Sequence, residues 1–270
     1  SPCVAMTLNF DDESIYFFDG AKAQAISRQD GSALWSSEKI VLGDLIKQGE
    51  LASGYAPTMF CYGGAVVIQI RESRQPGKIV AFDPKTGKTL WQQEPQTSGH
   101  HSPEDLLPVQ GLLWSGGTAR MGKGGGTYQG IHPLTGKIEK EFPNDVHPDY
   151  WFHQRCYRAK GTERFIIPAA TGTEYIDPKT GKWELNHWVR GGCLYGIMPA
   201  NGITYVPPNP CACFSETQIR TLGAFAPAEE GVDLAAIDTT GRYVKGPAFN
   251  DVEDRDARTG DCPMYRNDVE

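Results

Sequence analysis

No apolar run in this chain of 270 residues approaches the roughly 18 that a membrane-spanning helix needs. The longest, "AVVIQI" at 65–70, has the length of a strand. Positive charge is the scarcer sign, with 26 Lys and Arg against 33 Asp and Glu. The net charge of −7 argues against a nucleic-acid partner, whose phosphates need a basic face. Helix-like stretches are nearly absent, and only the short "LGDLIKQG" (42–49) reads as one. The chain opens "SPCVAM", with neither an initiator Met nor a charged-then-apolar leader, so its first residues say nothing direct about export.

Turn-forming residues are plentiful instead: 31 Gly and 19 Pro punctuate a chain that is 10% aromatic, a balance that favours many short strands. The hexapeptide "DPKTGK" stands at 83–88 and again at 177–182, with "HPLTGK" at 132–137 between them. A degenerate fourth copy is "AISRQDGSALW" (25–35), whose Leu34–Trp35 matches Leu90–Trp91. Each copy reads as a hairpin. A strand such as "KIVAFD" (78–83) alternates, Pro presets one turn angle, Gly supplies a positive φ, and a second strand such as "KTLWQQE" leads away. Upstream partners are "SIYFFDG" (14–20), "MFCYGGAVVIQI" (59–70), "GLLWSGG" (111–117) and "ERFIIPAA" (163–170), and "GITYVPP" (202–208) and "DLAAID" (233–238) extend the series. About four strands in roughly 45–56 residues is the size of a propeller blade. No such unit buries its apolar face alone; stacked neighbours bury one another's. The expected fold is therefore all-β, a β-propeller of four-stranded blades, with five to six blade-sized repeats that either form the ring or belong to a larger one.

The segment "KIVAFDPKTGKTLWQQEP" resembles the repeat of pyrroloquinoline-quinone (PQQ)-type β-propellers, which read apolar–Ala–apolar–Asp–x–x–Thr–Gly–x–x–x–Trp. That family includes quinoprotein alcohol dehydrogenases and outer-membrane assembly scaffolds. The match covers 14–190, most strongly 78–95. The block at 155–214 resembles a subgroup of large propeller proteins of Planctomycetes-like bacteria. The tail "RTGDCPMYRNDVE" (258–270) is similar to the Trp-Pro-x-Tyr/Phe-Arg segment that often opens a propeller of this type, with Cys262 in place of Trp. The expected organisation is propeller repeats over 1–245, followed by a linker or the start of a further propeller segment over 246–270. The resemblance implies fold more than activity. Quinoprotein dehydrogenases of this type use a vicinal Cys-Cys pair over the cofactor and an Asp base with calcium. Here Ala212 separates Cys211 from Cys213, which argues against bound PQQ.

Unusual side chains are densest over 153–213. His153, Cys156, Cys193, Cys211 and Cys213 supply the nitrogen and thiolate donors that zinc prefers, and copper(I) also accepts soft thiolates. Blade-sized spacing brings such positions side by side. Disulfides are the alternative, since seven Cys in an exported chain fit one to three bridges. His153, three residues before Cys156, tips the reading toward a structural metal ion. Cys3, Cys61 and Cys262 are left as packing or bridge residues. "NHWVRGGCLYG" (186–196) sets His187, Arg190 and Tyr195 among glycines that let a ligand approach the backbone. In a catalytic reading Arg190 neutralises a carboxylate while His187 and Tyr195 serve as base and acid, as in uronate-cleaving polysaccharide lyases. In the plainer reading these side chains pave blade surfaces and satisfy carbonyls. "GTARMGKG" (117–124) departs from the phosphate-binding pattern at Gly124, where Ser or Thr is needed, and reads as a glycine loop. "SGHHSPED" (98–105) and the acidic 251–261 read as solvated loops.

The leading expectation is an exported, periplasmic or extracellular propeller that binds or scaffolds, without quinone chemistry and with a Cys/His metal site. A carbohydrate-active enzyme of lyase type and a quinone- or metal-dependent oxidoreductase are the alternatives, so the sequence leaves open whether the chain is an enzyme. The expected partners are another protein, the rest of a longer chain, or a polysaccharide.

Overall fold

A computed structural model describes residues 2–40, 57–70, 77–96, 106–116, 127–143, 157–168, 172–186, 188–193, 195–208, 219, 221–228, 231, 240, 245–247 and 249. The chain divides into two compact units, 1–227 and 228–270, and the strands among the described residues lie in the first. In the second, Phe249 N–H donates to the Gly246 carbonyl (3.0 Å), and Lys245 Nζ sits 4.3 Å from the centre of the Phe249 ring. The helix expected at 42–49, the strand at 233–238 and the loops at 98–105, 117–124 and 251–261 fall largely or wholly outside the described residues. Among the described residues no helix is long and apolar enough to cross a membrane.

Among the described residues, five antiparallel sheets follow one another along the chain. The first holds β1 (Asn9–Phe10), β2 (Ser14–Phe18), β3 (Ala23–Ser27) and β4 (Ala33–Ser36). The second holds β5 (Thr58–Tyr62), β6 (Ala65–Ile70), β7 (Lys78–Phe82) and β8 (Thr89–Gln93). The third holds β9 (Leu106–Val109), β10 (Leu112–Gly116), β11 (Thr127–Ile131) and β12 (Ile138–Pro143). The fourth holds β13 (Lys160–Gly161), β14 (Ile166–Ile167), β15 (Thr173–Asp177) and β16 (Lys182–Asn186). The fifth holds β17 (Met198–Ala200), β18 (Ile203–Val206) and β19 (Gly223–Phe225). Each sheet is a meander whose strands pair in chain order. This is the all-β fold of blade-like sheets that the repeated turns predict.

The sheets stack face to face in sequence. One apolar cluster joins the first and second sheets through Tyr16, Phe18, Val66, Ile68 and Phe82. Val67, Ile79, Ala81, Leu113 and Ile131 join the second to the third. Trp114, Tyr128, Ile166, Ile176 and Trp183 join the third to the fourth, and Ile167, Val189, Ile197 and Val206 bind the fourth to the fifth. Alternation explains the arrangement: along β7, Val80 and Phe82 face the preceding sheet while Ile79 and Ala81 face the following one. Strands sandwiched on both sides are apolar throughout, hence "AVVIQI" buried at every position.

First strands lie innermost and fourth strands outermost. β1 runs beside β5 and β13 beside β9, while β4, β8, β12 and β16 are largely exposed. Arg158, just before β13, donates from Nη1 to Thr58 Oγ1 in β5 (3.3 Å), so the inner edges of the second and fourth sheets meet past the third. That convergence is what sheets fanned about an axis produce.

The four lookalike turns occupy equivalent places, each between the third and fourth strands of its sheet. Gly31, Gly87, Gly136 and Gly181 take φ values of 73°, 68°, 70° and 71°, the left-handed conformation in which glycine alone carries little strain. Each donates its N–H back to the residue opening the turn: Ser27, Asp83, His132 and Asp177. The opening side chain closes the turn from within. Asp83 Oδ1 accepts from the N–H groups of Lys85 (3.0 Å) and Thr86 (2.8 Å), and His132 Nδ1 accepts from Leu134 N–H (3.2 Å).

The tryptophans after these turns lock one sheet to the next. Trp35, on β4, donates its indole N–H to the Pro84 carbonyl (2.8 Å) and covers Gly87; a Cβ on that glycine would run into the ring. Trp91, on β8, repeats the contact on Pro133 (2.7 Å) and Gly136. In the third sheet Lys140 stands where the indole is expected, and Phe142, two residues further, covers Gly181 instead. The expected recurrence fails at Trp183. The first three sheets carry a one-residue bulge at this hairpin, between Ala25 and Ile26, Ala81 and Phe82, and Gly130 and Ile131. The extra residue turns the following aromatic toward the next sheet. Trp183 follows its glycine by two residues, where Trp35 and Trp91 follow theirs by four, so it stands before the bulge position: like Ala33, Thr89 and Ile138 in the other sheets it pairs with the turn-proximal residue of the third strand, here Ile176, and it faces back into the third-to-fourth cluster.

Candidate functional site

The segment between the fourth and fifth sheets carries the unusual chemistry. Thr173 Oγ1 at the start of β15 donates to the Val189 carbonyl (2.9 Å), and Ile219 N–H donates to the Trp188 carbonyl (2.9 Å), which fixes the backbone immediately before Arg190. Gly192 and Gly196 then form an isolated antiparallel bridge, with Gly196 N–H donating to the Gly192 carbonyl (2.8 Å). Glycine is needed at both faces of this loop. A Cβ on Gly191 would strike the Gly196 backbone, and one on Gly196 (φ +70°) would stand 2.8 Å from the Tyr157 ring. The local sequence "RGGCLYG" therefore folds into a tight loop pressed onto buried Tyr157.

Arg190 is only 2% exposed, and neither Nη1 nor Nη2 has a hydrogen-bond partner among the described residues. A guanidinium carries its charge at any ordinary pH, and holding such a charge dry and unpaired costs several kcal/mol. Its planar fork matches the two oxygens of a carboxylate. Tyr195, by contrast, is 82% exposed. The loop thus holds a dry cation and, five residues on, a bare aromatic ring. His187, the third member of the expected catalytic set, lies outside the described residues. Of the expected metal ligands, Cys193 is half-buried in this loop, whereas His153, Cys156, Cys211 and Cys213 lie outside the described residues. Among the described residues no three His, Cys, Asp or Glu side chains gather as a metal site would require.

Cys61 is a packing residue, as one of the two expectations for it held. It abuts the first-to-second cluster, and burial, with the charge of Asp11 adding, pushes its thiol up to about 12. Cys3 is exposed and unbridged, its Sγ 3.9 Å from Thr7 Oγ1.

The sequence reading missed a second polar spot, at the inner edge. Gln69 in β6 is 3% exposed, and neither its amide nitrogen nor its amide oxygen has a partner among the described residues. It lies opposite Thr58, the residue that receives Arg158. The available signal was a single Gln inside "AVVIQI", a polar group where every neighbour is apolar.

No family model matches the sequence, and no curated protein matches it. Several solved structures are similar in part. BamB from Moraxella catarrhalis is 15% identical, with 73% of this chain covering 56% of that one at a TM-score of 0.44. Quinohemoprotein alcohol dehydrogenase ADHIIG from Pseudomonas putida HK5 is 13% identical, with coverage of 76% and 43% and a TM-score of 0.45. The computationally designed Ika8 protein is 14% identical, with coverage of 74% and 54% and a TM-score of 0.46. The chain spans about half the length of these proteins.

Proposed function

We propose that this chain is a β-propeller binding or scaffold protein that takes a carboxylate-bearing ligand, an acidic polysaccharide, at the Arg190 loop. The observation that carries the reading is the buried guanidinium with two unpartnered nitrogens. A uronate carboxylate would supply the missing charge and accept both N–H groups, and the exposed Tyr195 ring offers a flat apolar face to a sugar. The glycines around the loop support close approach of a ligand to the backbone.

The test is a pair of measurements on wild type and Arg190→Met. Without ligand, Arg190→Met should be more stable by about 1–4 kcal/mol in chemical unfolding, because an apolar side chain replaces an uncompensated charge. With oligogalacturonate or oligoguluronate the wild-type melting temperature should rise, and the variant's should not move. A wild type indifferent to acidic sugars, or a variant that still responds, overturns the reading. The same mixtures, followed for the absorbance of an unsaturated uronate, test the lyase alternative with His187 and Tyr195 as its proton carriers. Its signal should vanish in Tyr195→Phe.

A zinc or copper(I) ion held by His153, Cys156, Cys193, Cys211 and Cys213, and residence in the periplasm or outside the cell, belong to the same proposal. Metal analysis of purified protein and cell fractionation check them.

A further inference from the structure

Charge is scarce around Arg190. From Trp188 to Pro208 the sequence holds no Lys, Asp, Glu or His, and Arg190 is its one charged residue, in a chain that is 22% charged. The described residues that complete the fifth sheet, Ile219 and Thr221 to Ala228, are uncharged as well.

The side chains that stand open here are apolar. Trp188 is 65% exposed and Tyr195 82%, and Met198 and Ile219 are also exposed. Trp188 and Tyr195 flank Arg190 on fixed backbone. On one side the Trp188 carbonyl accepts from Ile219 N–H and the Val189 carbonyl from Thr173 Oγ1. Two residues of chain separate Trp188 from Arg190, a reach of about 7 Å at most. On the other side Gly191 lies against the Gly196 backbone and Gly192 pairs with Gly196, which anchors Tyr195. The buried carboxylate of Glu174 serves elsewhere. Its Oε1 accepts from Gly172 N–H (2.8 Å), and it shares the face of β15 that turns Ile176 toward the third sheet, whereas Thr173 and Tyr175 face the fifth.

The loop therefore matches one carboxylate and leaves its neighbours unmatched. A carboxylate on the adjoining sugar would be set against the Trp188 or Tyr195 ring, stripped of water with no cation to receive it, and that desolvation counts against binding. A neutral sugar in the same place lays its C–H face on the ring and keeps its hydroxyls in water.

We infer that the Arg190 loop selects a polysaccharide whose uronates are each flanked by neutral sugars, and that Trp188 and Tyr195 enforce this choice. The ligand class is an alternating or sparsely charged heteropolymer, and a homopolyuronate binds more weakly. The inference rests on Arg190 as the uronate site.

Isothermal titration of the full chain tests it with two probes of equal length that carry the same uronate. One is a rhamnogalacturonan hexasaccharide, in which galacturonate alternates with rhamnose; the other is hexagalacturonate. The buffer is held at about pH 8, where an ordinary imidazole is neutral, and at about 0.15 M salt, which screens diffuse attraction. Wild type should bind the alternating probe at least about tenfold more tightly. Trp188→Lys places a cation on one flank and should shift the preference toward hexagalacturonate by a similar factor, and its exposed position accommodates lysine. Tyr195→Lys does the same on the other flank, and replaces the first variant if that one's melting curve departs from wild type. If neither probe binds wild type, the uronate site itself is lost and the inference with it. If both bind and hexagalacturonate binds as tightly or more tightly, the uronate site stands and the inference fails. A wild-type preference for the alternating probe that neither folded lysine variant moves also overturns it, because the rings then do not govern the choice.

Discussion

Glycine at the turns does two separable jobs, and the structure offers a matched pair to separate them. Gly31 and Gly87 share nearly the same backbone angle, but only Gly87 lies under an indole. Gly31→Ala should cost about 1 kcal/mol, the strain of a side chain in the left-handed region. Gly87→Ala should cost about 1–3 kcal/mol more, because Trp35 must also move. Urea unfolding at low protein concentration reads both, and equal losses would show that the indole contact contributes little. At this scale the sequence was informative wherever a residue has one dominant physical reason to be present. A repeated Gly announces a positive φ. Arg190 was marked by its type and its glycine neighbours, but its burial was not readable, because burial depends on how the fourth and fifth sheets close around it. The same holds for Gln69.

Among the elements, the third-to-fourth-strand hairpins decide the packing, and their carboxylates make that packing pH-dependent. Hydrogen bonds from the Thr86 hydroxyl and N–H hold the Asp83 carboxyl below its usual value of 3.8, and the N–H and hydroxyl of Ser32 hold Asp30 down to about 2. Such a group favours the folded state above its unfolded value, and the contribution disappears as pH falls through the folded value. Stability should therefore decline on acidification below about 4, and Asp83→Asn should flatten part of that slope in a series of denaturant titrations. The strand order was legible from alternation and from the spacing of "DPKTGK" and its relatives. Trp183 was legible in part: it follows Gly181 by two residues where Trp35 and Trp91 follow their glycines by four, which places it before the bulge, whereas nothing in "TGKWELN" marks that the fourth sheet lacks the bulge itself.

For the molecule as a whole, burial rises from both ends toward the second and third sheets, where β6 and β10 are buried at every position. The fifth sheet is the least covered, with only part of β18 buried. Amide hydrogen exchange should follow that gradient, slowest in β6, β7 and β10 and fastest in β17 and β19. Uniform exchange across the five sheets would mean that they open as one unit.

The joint between sheets also has a direction in time. Trp35 leaves the ribosome some fifty residues before Pro84 and Gly87, and Trp91 before Pro133 and Gly136. During synthesis each of these newly made sheets would therefore find its predecessor's ring already waiting. Growth of the nascent chain proceeds as a series of captures that run only from the amino end toward the carboxyl end.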